Sequence, residues 1–307
     1  MEKKTIKLKV EKNDEGKRLD LYLAFQFNEL TRSTVKKQVE AGNVRITGEV
    51  QFKPNYRVKE GDEVICDFVL EDRSGHDLLP QDIDLDVIYE DETLLAVNKP
   101  IGMVVHPATS NWDNTLLNAV LFRNNEIGSV GDPSRPGLIH RLDKDTSGVV
   151  LIGKTNEALW HYTKLFSERR INKTYLAIVR GDFFREYGDT EVLIDNYLGR
   201  NSTNRKKFAK VSPSKGKKAT TNVIFREHLK FNNQVYSLLE VKPVTGRTHQ
   251  IRVHLNDLGF PILGDRVYGR GNDYKRLMLH AWKLKLTLLS GKEKTIIANP
   301  DKIFFKL

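Results

Sequence analysis

The stretch Lys173–Gly181, KTYLAIVRG, is apolar at consecutive positions, not at alternate ones. A strand with that pattern buries both faces and belongs in the middle of a sheet, not at its edge. DLDVIYED, LLAVNKP, GVVLIGK and VYSLLEVKP read as further strands, with Pro100 ending the second because it cannot donate to a ladder. Residues 206–228 read as a hairpin with its turn at SPSKGKK. Two helices stand among these strands. TNEALWHYTKLFSERR places Leu159, Tyr162, Leu165 and Phe166 on one face. THQIRVHLNDLGFP has Thr248 to cap its start, Ile251, Leu255 and Leu258 on one face, and Gly259 and Pro261 to stop it. Strands outnumber helices and do not alternate strictly with them. The expected class is therefore α+β, with a mixed, largely antiparallel central sheet and flanking helices.

A smaller unit precedes this one. RLDLYLAFQF carries Leu19, Tyr22 and Leu23 at helical spacing. TRSTVKKQVEAG is a second short helix with Val35 and Val39 on one face, Thr31 or Ser33 as cap and Gly42 as stop. NVRITGEV and GDEVICDFVL then alternate as strands. Arg32, Lys36, Lys37 and Arg45 gather around the second helix. This ordered set resembles the S4 RNA-binding domain, which implies an RNA-gripping unit over residues 12–70 with Arg32 and Lys36 among its contacts. EDRSGHDLLPQD is polar, contains Gly75 and Pro80, and reads as a linker at 71–80; residues 81–307 then form the large domain.

Charge and cysteine use narrow the function. The chain has 50 Lys+Arg against 40 Asp+Glu, a net charge of +10, which favours a polyanionic partner. One cysteine, Cys66, excludes an intramolecular disulfide and a four-cysteine zinc site. The N-terminus has no apolar core long enough for a signal peptide, and no apolar run reaches the ~18–20 residues that span a bilayer. A cytoplasmic protein is expected, with no membrane partner.

The segment with the densest chemistry is PGLIHRLDKDTSG, residues 136–148. A serine nucleophile at Ser147 would need glycines two residues to either side, where Asp145 and Val149 stand. His249 and His254 are five apart, not the four of a zinc helix, and no phosphate-cradling Gly-x-x-x-x-Gly-Lys is present. No metal site follows. The carboxylates remain: Asp145 is suited to brace the turn backbone, and Asp143 precedes it beside Arg141.

GLIHRLDKDTSGVVLIGKT is very similar to the signature of the RluA-type pseudouridine synthases. NKPIGMVVHP, KTYLAIVRG and KPVTGRTHQIRVHLNDLGFPILGDRVYG resemble that family's other segments, in order, so the resemblance covers roughly residues 80–290. It departs near the end, where Asn299-Pro300 replaces the family's Ala-Pro. The resemblance implies an RNA uridine isomerase, an intramolecular transferase that needs no cofactor because the atoms of uridine and pseudouridine balance. It makes Asp143 the catalytic carboxylate, Arg252 its ion-pair partner and Tyr175 the ring under the uracil. A carboxylate acting as nucleophile or base must be ionised, which burial opposes and a neighbouring cation favours. Arg141 is expected to contact the backbone or fill the space of a flipped base. Arg247 and the basic stretch 200–218, with Lys215, Lys217 and Lys218, are expected to meet phosphates. His106, His140, His249 and His254 are expected to brace loops. Large-subunit ribosomal RNA fits this arrangement of domains, with transfer RNA as the alternative substrate and a monomer as the expected state. The rival reading from another class is a non-catalytic RNA-binding or ribosome-assembly factor on the same fold; a hydrolase is third.

Overall fold

The computed structural model describes residues 2–27, 32–70, 78–107, 111–204, 207–231, 234–269 and 274–305. The chain divides into two compact units, Met1–Asp77 and Leu78–Leu307.

The first unit pairs β1 (Glu2–Lys9) with β4 (Glu63–Leu70), and β4 in turn with β2 (Val44–Ile46) and β3 (Glu49–Val50), in the order β1-β4-β2-β3. Helices α1 (Leu19–Gln26) and α2 (Arg32–Glu40) bury Leu19, Tyr22, Leu23, Val35 and Val39 against it. NVRITGEV is not one strand. Thr47 and Gly48 both take positive φ, so the run folds back on itself as the β2–β3 hairpin. Strand β1 was not expected from the sequence; its eight residues pair antiparallel with all of β4. Thr31, a candidate cap of α2, and the polar segment 71–77 lie outside the described residues, as does the side chain of Ser33.

The second unit is built on one large sheet. In chain order its elements are β5 (Val87–Glu90), β6 (Leu94–Lys99), α3 (Leu116–Arg123), β7 (Ser147–Gly153), α4 (Asn156–Ser167), β8 (Asn172–Arg180), α5 (Phe183–Tyr187) and β9 (Val192–Arg200). They continue with β10 (Phe208–Lys210), β11 (Lys217–Phe231), β12 (Gln234–Pro243), α6 (Gln250–Asp257), β13 (Leu279–Thr287) and β14 (Glu293–Ile297). The spatial order is β10-β9-β11-β12-β8-β13-β7-β6-β5, with β14 on β13. All pairs are antiparallel except β13 with β7, so the sheet is mixed and the class is α+β.

The two-sided apolar strands sit where that pattern requires. β8 lies between β12 and β13. In β6, Leu94 and Ala96 face a core shared with α4, while Leu95 and Val97 face one shared with α3; β7 divides the same way, Val149 and Leu151 against Val150 and Ile152. The expected hairpin over 206–228 is corrected. β10 and β11 do not pair with each other: Lys210 and Lys217 both register with Leu198, so β9 runs between them. The hairpin partner of β11 is β12. The pairing is not written in local pattern, because backbone groups pair with any strand that arrives in register.

Candidate active site

Asp143 sits in the loop that enters β7. Backbone sterics set that entry. Gly148 has φ +117, and a Cβ there would lie 2.2 Å from the Ala281 carbonyl oxygen, so only glycine lets β7 close on β13 in parallel register. Beside it Ser147 is buried. His280 Nε2–H donates to the Ala298 carbonyl at 2.8 Å, which leaves Nδ1 to accept from the Ser147 hydroxyl at 2.9 Å; Arg276 Nη2 donates to that hydroxyl at 3.0 Å. Ser147 is thus a brace. The Asp143 loop itself closes on Thr146 N–H to the Asp143 carbonyl at 3.1 Å. The expected brace from Asp145 is corrected: its carboxylate is exposed and bonds to none of the turn among the described residues. Lys99 does that work. Fully buried at the end of β6, its ammonium donates to the carbonyls of Pro100, Met103 and Lys144 at 2.8, 2.9 and 3.0 Å, tying two loops together. Burial pulls its pKa down to about 7, against the opposing pull of Asp145 and Asp143.

Arg252 reaches Asp143 from α6. The helix starts one residue later than expected: His249, not Thr248, is the first flanking residue, in the left-handed region at φ 56 and with no side-chain cap of its own. Gln250 supplies the polar ties instead. Its side-chain oxygen accepts from Thr245 Oγ1 and Arg247 N–H at 2.7 and 3.0 Å, and its amide donates to the Thr220 carbonyl and Thr221 Oγ1 at 2.9 and 2.8 Å. Gly259, φ +86, closes the other end as expected. The first helical turn therefore stands fixed on β11.

The guanidinium of Arg252 is shared. Its Nε and Nη2 donate to Asp265, both at 2.8 Å, while Nη1 lies 3.6 Å from Asp143 Oδ2. Asp265 also accepts from the backbone N–H groups of Val267 and Tyr268. Burial opposes the charge on both members of the inner pair, and their mutual attraction outweighs it, holding Asp265 below and Arg252 above their ordinary pKa values. Gly264 makes this possible: at φ +75 a Cβ would fall 1.8 Å from the Arg276 carbonyl oxygen. Asp143 differs from Asp265 in access. Its side chain is 27% exposed, against 1% for Asp265. On the same oxygen stands His249 Nε2 at 3.6 Å, with Nδ1 2.9 Å from the Tyr268 hydroxyl. Burial holds that imidazole below its ordinary pKa despite Asp143. Tyr268 packs its ring 5.2 Å from the Arg252 guanidinium carbon.

A pocket of about 430 Å³ opens over Asp143, lined among others by Tyr175, Arg252, Arg141 and Arg247. It is within the range of ligand pockets. Tyr175 projects from β8; burial, then the Asp143 charge, raises its pKa, so it stays a neutral phenol. A cleft of about 540 Å³ is lined by Lys215 and Lys217 and shares Arg247, Thr248 and Phe208 with the first. Lys218 instead pairs with Asp195 at 3.1 Å. In the first unit, the Lys36 ammonium stands 3.6 Å from Glu40, and the side chain of Arg32 lies outside the described residues. His140 accepts the Leu151 N–H at 3.0 Å and braces its loop as expected, whereas His254, also expected to brace a loop, ties α6 to β11 and β9 through Thr221 and Asn196 at 2.8 and 3.0 Å.

Sequence reasoning missed Lys99, Asp265, Tyr268 and the closeness of His249. Only Lys99 carried a local signal, a charge ending a run of buried apolar residues. Among the described residues no group of three His, Cys, Asp or Glu side chains could hold a metal ion, and no helix is long and apolar enough to cross a membrane.

The family model for RNA pseudouridylate synthase matches residues 93–257, and that for the S4 domain matches residues 17–64. The chain is 41% identical to the ribosomal large subunit pseudouridine synthase D of Borreliella burgdorferi, over 94% of this chain and 87% of that protein. It is 40% identical to the protein of the same name from Zymomonas mobilis, over 91% and 88%. Among solved structures, human RNA pseudouridylate synthase domain containing 1 superposes with a TM-score of 0.59 at 30% identity, covering 71% of this chain and 84% of that one.

Proposed function

The chain belongs to the RNA pseudouridylate synthase family and carries an S4 domain, and from that premise we propose that it isomerises uridines of large-subunit ribosomal RNA through Asp143. One observation carries the reading: a partly exposed carboxylate, a buried guanidinium 3.6 Å from it and a neutral phenol, from three distant segments, border one pocket. The names of the two relatives, ribosomal large subunit pseudouridine synthases, support the choice of RNA.

In the proposed reaction the N1–C1′ bond breaks, the freed uracil turns, and C5 bonds to C1′. The proton lost from C5 is balanced by one gained at N1, so no cofactor enters. Asp143 acts towards the sugar, either by attack on C1′ or as a base. Its Oδ2 faces Arg252 and its remaining lone pairs face the pocket. Arg252 acts as a fixed counter-ion, because Asp265 holds its other edge. Tyr175 offers a flat ring to the uracil and a protonated hydroxyl near C5. The target must leave its stack, at a cost of a few kcal/mol. Arg141 takes the backbone phosphate or the vacated space. Arg247, Lys215 and Lys217 meet phosphates along the strand, and Lys218, Arg32 and Lys36 add to the electrostatic grip. The protein works as a cytoplasmic monomer.

Mapping pseudouridine across total RNA, with and without this gene, tests the reading. Specific sites in large-subunit ribosomal RNA should vanish with the gene and return with the wild-type chain but not with Asp143→Asn. Loss confined to transfer RNA would overturn the substrate; loss nowhere would overturn the activity.

A further inference from the structure

Arg141 lines a second cleft besides the one over Asp143. This cleft, about 790 Å³, is bounded by the segment 132–141 and by one face of α4. Leu138, Ile139 and Leu159 give it an apolar floor. Trp160 stands on its rim. The inner face of α4 buries Ala158, Tyr162 and Leu165, but Trp160 takes no part in that packing and is 65% exposed. No other ring packs on the indole among the described residues; the Lys164 ammonium stands 4.9 Å from its centroid. Arg135, Arg141 and Lys164 contribute three cations to the lining. Its one carboxylate, Asp132, is already engaged, by the Ser134 N–H and hydroxyl at 2.9 and 2.7 Å and by Arg135 at 3.2 Å.

An exposed indole beside Arg141 and Lys164, two cations with no carboxylate partner among the described residues, matches single-stranded nucleic acid, whose bases stack on aromatic rings while basic side chains follow the backbone. An apolar peptide would leave those two cations unpaired. Extruding one nucleotide also breaks the stacking of its neighbours, and a platform close by offsets part of that loss. We infer that this cleft is a second nucleotide subsite, in which a base neighbouring the target uridine stacks on Trp160 while its phosphates meet Arg141 and Lys164. The inference rests on the proposed RNA substrate, and Arg141 is the residue common to both subsites.

Trp160→Ala should raise the KM for transcribed large-subunit ribosomal RNA about tenfold, the scale of one lost stacking contact, with little change in kcat. Binding of a fluorescently labelled hexauridylate, followed by anisotropy, should weaken by a similar factor. Trp160→Phe should restore most of both, and Trp160→Leu should not, because a π face and not mere apolar surface is required. A Trp160→Ala enzyme with wild-type KM and wild-type hexauridylate affinity overturns the inference and leaves the cleft to a protein partner. Equal rescue by Leu and Phe overturns the stacking. If wild-type protein forms no pseudouridine in that RNA, the proposed substrate fails instead, while the hexauridylate series still decides whether Trp160 holds a nucleotide.

Discussion

The catalytic unit assembles arginine, aspartate and histidine twice, on either side of the Thr146-Ser147-Gly148 corner. On one side Asp143 meets Arg252 and His249 at 3.6 Å each, too long for hydrogen bonds, and its side chain remains 27% exposed. On the other, Arg276 pairs with Asp301 and donates to Ser147, which is bonded to His280, which is bonded to the Ala298 carbonyl, through contacts of hydrogen-bond length. The same residue types thus do two jobs. A charge whose partner is held just out of bonding range keeps lone pairs for a substrate; a polar group whose bonds are closed has nothing left to offer and serves as scaffold. The difference is set by what anchors each arginine. Asp265 saturates the inner edge of Arg252 and leaves one nitrogen facing the pocket.

The sharpest test of that contrast is Asp143→Asn, which keeps shape and removes charge. Turnover should fall by about 10³-fold or more, while unfolding free energy changes by no more than about 1 kcal/mol, as for a partly exposed carboxylate whose ion-pair partner stands beyond hydrogen-bond length. Near-wild-type turnover in purified protein would end the assignment of Asp143. Arg252→Met should join the two effects. Turnover should fall on the order of 10²-fold, and stability by about 3–5 kcal/mol, because Asp265 stays buried without its partner. Acid titration of stability separates the inner pair. Asp265 has a depressed folded pKa, so its contribution is fully present above its ordinary value of 3.8 and is lost as pH falls through the depressed one. Asp265→Asn should remove that part of the acid slope; an unchanged slope would mean the pair adds nothing to the fold.

The smallest catalytic effect is expected on the scaffold side. His280→Gln should lower stability by about 1–3 kcal/mol at neutral pH through its broken bonds, with kcat retained at permissive temperature. Burial lowers the His280 pKa from 6.5 to about 4. The native state therefore binds fewer protons than the unfolded chain between those values, and stability falls there by about 1.4 kcal/mol per pH unit as pH drops. The variant should lose one imidazole's share of that slope. A fall in kcat as large as that of Arg252→Met would erase the distinction between the two clusters.

Much of this layout was legible in the chain. Lys173–Gly181 announced a strand buried on both faces and central in the sheet, since consecutive apolar residues leave no side for water, and β8 lies between β12 and β13. Gly259 and Pro261 marked the end of α6, and the segments around Asp143, Tyr175 and Arg252 named their family. The start of α6 was misjudged because Gln250, not Thr248, makes its polar ties, and those reach to Thr220 and Thr221 on another strand. Asp265 was invisible because its role depends on the close approach of Gly264 to Arg276. The placement of β9 between β10 and β11 was likewise hidden, since backbone groups pair with any strand that arrives in register.

The sequence by itself determined which residues could carry the chemistry and which runs had to be buried, because side-chain type and periodicity are local properties. Only the tertiary structure decided which arginine faces an open carboxylate and which a closed one, that Lys99 clamps two loops, and that Trp160 borders a cleft sharing Arg141 with the pocket over Asp143. Coulomb energy and hydrogen bonding depend on ångström separations and on water access between groups far apart in the chain, and those quantities exist only once the chain has folded.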